Sequence, residues 1–138
     1  MDKQELYIKY PSSLSEEKLA KRLGLYWDNT IQDWELVVSD FGRINDFLNL
    51  YQKELYDDDD KFTLMGLMVS SFDRGISDFN VETETNWRIC KTILENECYL
   101  HYSIIKYWSL LEEKNTKNAF PITPYMREIW DKVEMNFL

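Results

Sequence analysis

At 138 residues, with 44% hydrophobic and 15% aromatic side chains, the chain has enough apolar material for one folded domain and too much for a disordered one. A formal charge of −9 and a pI near 4.6 argue against direct contact with nucleic acid, which relies on Lys and Arg to neutralise phosphates. No run nears the roughly 18 apolar residues of a membrane span, and MDKQELYIKYPSS lacks the apolar core of a secretory signal, so a cytoplasmic protein is expected.

In chain order, ELYIKY reads as a short extended N-terminal arm (residues 1–13) that stops at Pro11. SLSEEKLAKRLG follows. Ser13 and Glu16 are spaced as a capping box and Gly24 stands as a stop, so a helix is expected near 14–23. In WDNTIQDWELVVSD the apolar residues alternate around Glu35, which suits an extended connection or a helical turn; the extended connection is favoured, ending at Asp40 as a cap. Phe41, Ile44, Leu48, Tyr51 and Leu55 then recur at three- and four-residue spacing, an amphipathic helix. Phe62, Met65, Val69, Phe72 and Ile76 repeat that spacing, and Leu64 and Met68 widen the stripe, so a central, largely buried helix is predicted over 61–77.

Beyond the loop SDFNVETET, a helix starting at Thr83 or Thr85 carries Trp87, Cys90 and Leu94 and breaks near Asn96. The next carries Leu100, Ile104, Tyr107, Trp108 and Leu111. The last, in TPYMREIWDKV, has Thr123 as its cap and Pro124 in the first helical position. Eight residues of helical rise would separate Cys90 and Cys98 by about 12 Å, beyond the roughly 7 Å that a disulfide spans, so both read as buried thiols. The expectation is an all-α fold, a compact single-domain bundle over 1–138 with five or six amphipathic helices.

Catalytic chemistry finds little support. His101 is the sole histidine, the four glycines are isolated, and neither CxxC nor His-Glu-x-x-His occurs. No enzyme activity, cofactor or metal is expected, and His101 reads as structural. Charge is the informative feature. Residues 28–60 hold ten acidic and two basic side chains, a net of −8, while residues 1–27 sum to +1 and residues 61–138 to −2. The peak is four consecutive aspartates at 57–60. An EF-hand starting at Asp57 needs Gly and Glu where Phe62 and Met68 stand. A helix start explains one or two aspartates, each contributing roughly 0.3–1 kcal/mol against the macrodipole, but not four that repel one another. Asp60 is expected to start the helix, and Asp57, Asp58 and Asp59 to face a basic partner, against the plainer alternative of a solvated acidic loop.

The segments IQDWELVVSD, RINDFLNLYQ, DDDDKFTLMGLMVSSFD, LHYSIIKYWS and FPITPYMREIW, in this order over about 31–131, resemble bacterial immunity proteins encoded beside polymorphic or contact-dependent growth inhibition toxins. That resemblance implies a cytoplasmic antitoxin that binds its cognate toxin domain one to one. The toxin would be a basic nuclease, an RNase or tRNase ahead of a DNase. An acidic patch complements such a domain, with affinity from a few buried aromatic anchors. The residues expected at the interface are Asp57, Asp58, Asp59, Asp46, Glu54, Glu35 and Asp33, with Trp34, Tyr51 and Tyr56 as anchors. No direct nucleic acid or membrane contact is expected. Two other classes stay open: an acidic adaptor or nucleic-acid mimic that occupies a host nucleic-acid-binding protein, and an enzyme using surface carboxylates.

Overall fold

The computed structural model describes residues 3–54 and 57–138. Among these residues the fold is all-α, with seven α-helices, short 3-10 turns and no strand. The helices are α1 (Ser13–Leu23), α2 (Trp34–Val37), α3 (Ile44–Glu54), α4 (Asp58–Gly75), α5 (Thr85–Asn96), α6 (Tyr102–Ser109) and α7 (Thr123–Val133). Six match the periodic segments; α2 is the addition. The chain divides into two compact units, Tyr10–Phe79 and Asn80–Leu138 with the N-terminal residues through Lys9.

In the Tyr10–Phe79 unit, α1, α2 and α3 all pack on α4. Leu64, Met65, Leu67, Met68, Val69 and Phe72 of α4 are wholly buried. Burying each such side chain stabilises by about 1.5–3 kcal/mol, which makes α4 the core of this unit. Helix α1 begins one residue earlier than the capping-box spacing suggests. Ser12 is the cap, and its hydroxyl accepts the Ser15 amide at 3.3 Å. Gly24, left-handed at φ 70°, ends it as expected. Asp40 caps the 3-10 turn Phe41–Arg43 that leads into α3, its Oδ1 accepting the Gly42 amide at 2.9 Å.

Two segments depart from the sequence reading. The arm ELYIKY is not extended throughout, because Lys3–Tyr7 forms a 3-10 helix. The segment at 34–38 is helical rather than extended. Trp34 is fully buried and its indole Nε1 donates to the Tyr26 carbonyl at 2.8 Å, so one turn of helix forms around an anchor.

In the second unit, α7 packs on α6 and α5. Thr123 does not cap α7, since Ile122 takes that position. The Thr123 hydroxyl instead donates to the Trp108 carbonyl at 2.7 Å and accepts the Phe120 amide at 3.2 Å. Helix α6 ends before Leu110, which is left-handed at φ 42°. The Arg127 guanidinium closes this end by donating to the carbonyls of Ser109, Leu110 and Glu113, each at 2.7 Å. Tyr7, Tyr102, Trp130 and Phe137 form an aromatic cluster, with Tyr102 and Phe137 centroids 4.8 Å apart. Cys90 and Cys98 are buried free thiols, and burial pushes the Cys90 thiol well up. His101 is buried at the start of α6, its Nε2 4.0 Å from Glu97 Oε1.

Candidate partner-binding surface

The charge imbalance belongs to one unit. Tyr10–Phe79 contains fourteen acidic and seven basic side chains, whereas the other unit has eleven and nine. The four aspartates take three different roles. Asp57 is the N-cap of α4, and its Oδ1 accepts the amides of Asp59 at 2.7 Å and Asp60 at 3.2 Å. Asp58 and Asp59 are exposed in the first turn, where the positive end of the helix favours carboxylates. Asp60 is buried. It accepts the Ser15 hydroxyl at 2.6 Å and pairs with Lys18 Nζ at 2.9 Å, tying α4 to α1. The capping role expected of Asp60 therefore belongs to Asp57, because the cap must precede the first helical turn.

Other carboxylates of the segment are matched within the same unit. Glu54 receives Arg22 in bidentate fashion, with Nη2 2.6 Å from Oε1 and Nε 3.1 Å from Oε2. Asp46 receives Arg43 Nε at 2.6 Å, and Arg43 Nη2 also donates to the Leu23 carbonyl at 2.8 Å. Both pairs line an open cleft of about 320 Å³ together with Asn49 and Lys53. Asp28 accepts the Thr30 hydroxyl, the Tyr26 hydroxyl and the Thr30 amide, which lowers its carboxyl to about 2.

Searches against protein-family models, curated proteins and solved structures found no match. The surface therefore has to be read from its own chemistry.

Two of the three aromatic anchors expected at the surface are buried instead. Trp34 is 0% exposed and Tyr51 4%, so both serve the core of the unit rather than a partner. The position of Tyr51 on the periodic apolar stripe of α3 favours this, because an aromatic side chain that completes a packed face gains more from burial than from solvent. Tyr56 lies outside the described residues. Among the exposed apolar side chains of this unit, Tyr10 and Leu14 lie around the start of α1, while Tyr26, Leu36 and Val37, at 61%, 38% and 55% exposure, lie on or before α2. Sequence reading missed them; for Leu36 and Val37 the signal was that both are left over on the outer face once one turn of helix is drawn from Trp34.

Beside them sits a group of carboxylates with no ion pair among the described residues. Asp33 is exposed and left-handed at φ 52°, and Glu35 is half-buried against α4, its Cγ facing Gly66. Glu16 of α1 is only 9% exposed. Among the described residues neither Glu16 nor Glu35 has an ion-pair partner, and Glu35 Oε2 is enclosed without a hydrogen bond. Burial raises the Glu16 carboxyl above the ordinary range, and the charges of Glu35 and Asp33 push it the same way, while the Trp27 indole pulls against them. Burial likewise raises Glu35, with Asp33 adding to it. Among the described residues no group of three or more His, Cys, Asp or Glu side chains is placed to hold a metal ion, and no helix is long and apolar enough to cross a membrane.

Proposed function

We propose that the protein is a cytoplasmic immunity protein that binds and neutralises a cognate antibacterial toxin domain, a basic nuclease, in a one-to-one complex and without catalysis of its own. The observation that carries this reading is the concentration of the acidic excess in the Tyr10–Phe79 unit, with exposed carboxylates at the start of α4. A nuclease must attract phosphate, so its substrate cleft is basic. An acidic face speeds encounter with such a cleft and, once seated, keeps nucleic acid out by charge and bulk. The order of segments resembling toxin-linked immunity proteins supports the same partner.

Co-expression tests this directly. Cells making the toxin module encoded beside this gene should survive when the full chain is present and die when it is absent. Loss of protection with both proteins present and soluble sinks the reading.

A further inference from the structure

We infer that the exposed face of α2, with Leu36 and Val37 flanked by Asp33 and Glu35, is where the partner anchors, and that the partner offers Lys or Arg side chains beside an apolar recess. This rests on the immunity reading and names the part of the acidic unit that makes the lasting contact.

Charge complementarity singles out this face. Asp60, Glu54 and Asp46 already hold Lys18, Arg22 and Arg43, so a partner cation arriving there competes with an internal one. Among the described residues no such ion pair occupies the exposed Asp33 or the half-buried Glu35. An incoming guanidinium or ammonium adds a counter-charge without displacing one. The apolar component lies alongside. A single exposed aliphatic residue is ordinary, but Leu36 and Val37 are adjacent on one turn, and Tyr26 is linked to that turn through its carbonyl and Trp34. Trp34 also makes the surface rigid, since its buried ring fixes a four-residue helix that could not persist alone. A rigid apolar pair rimmed by carboxylates matches the usual layout of an interface, with a dry centre and a polar edge.

The experiment compares the full-length chain with a Leu36→Ala/Val37→Ala double variant and with Asp33→Asn, each binding the purified toxin module encoded beside the gene. Association and dissociation rates are followed separately, and thermal melts check folding. The double variant is expected to dissociate about tenfold faster with a native melt, and Asp33→Asn to weaken binding and its salt dependence. In a second arm, hydrogen exchange of the wild-type complex should show new protection over residues 33–38. Unchanged dissociation of the double variant, or protection that spares residues 33–38, overturns the inference and leaves the immunity reading standing. Concentration-dependent dimerisation of the free chain that the double variant abolishes assigns the face to a second copy and also overturns it. Failure of the wild-type chain to bind the module overturns the immunity reading itself.

Discussion

Gly75 and Phe41 approach so closely that a Cβ built on the glycine would lie 2.4 Å from the Phe41 Cβ and 2.6 Å from its Cγ. The contact seats the 3-10 turn before α3 on the last turn of α4, where Phe41 also stacks on Phe79 at 4.7 Å. Gly75→Ala should therefore destabilise by about 1–3 kcal/mol, because Phe41 has to move its own backbone-proximal atoms to make room. Urea unfolding of the variant checks it, and an unchanged midpoint would show that the turn moves freely.

Gly66 behaves oppositely. It lies in the middle of α4, and a Cβ there would meet only Glu35 Cγ at an ordinary 4.0 Å. Gly66→Ala should stabilise by about 0.5–1 kcal/mol through the reduced freedom of the unfolded chain. A raised melting temperature with intact partner binding is the expected result.

The aspartates separate by role. Asp57→Ala should cost about 1 kcal/mol by removing the cap of α4, whereas Asp57→Asn keeps the acceptor and should cost little. Combining Asp57→Asn, Asp58→Asn and Asp59→Asn should slow association with the toxin module and flatten its salt dependence while the melt stays native. Asp60 must be spared, since Asp60→Asn weakens the tie to Lys18 and confounds folding with binding. Stopped-flow association over a salt series reads the outcome; identical rates at low salt would refute the steering role.

The pH dependence has two opposed components. Glu16 and Glu35 hold their protons more tightly when folded than when unfolded, so stability falls as pH rises from the ordinary carboxylate value through their raised ones. Glu35→Gln should thus raise the urea midpoint at neutral pH, with the gain vanishing at acid pH. Asp28, lowered to about 2, contributes stability above the ordinary aspartate value that disappears as pH drops toward 2. Asp28→Asn should remove that acid limb. Melts from pH 2 to 7 for the two variants separate the components.

Much of the helical pattern was legible because α4 repeats its apolar residues over five turns and Gly24 and Asp40 have chemically distinct stop and start roles. Helix α2 was not. Four residues are too few to display a period of 3.6, and its helical state depends on Trp34 finding the core and a carbonyl eight residues away. Similarly, the spacing to Glu16 points to Ser13 although Ser12 takes the cap, and Thr123 found a carbonyl fifteen residues back rather than its own helix. Within the candidate surface, a charge count locates the acidic unit but says nothing about pairing. Arg22 reaches Glu54 across thirty-two residues, and only the folding of α1 and α3 onto α4 reveals that this carboxylate is already engaged.

The two guanidinium–carboxylate pairs of the 320 Å³ cleft carry a consequence for handling the protein. Added salt screens Arg22–Glu54, which joins α1 to α3, at the same ionic strengths that screen attraction to a basic partner. Ionic strength is then a folding variable as well as a binding one, and a salt series on the complex needs the free chain's own melting curve at every point.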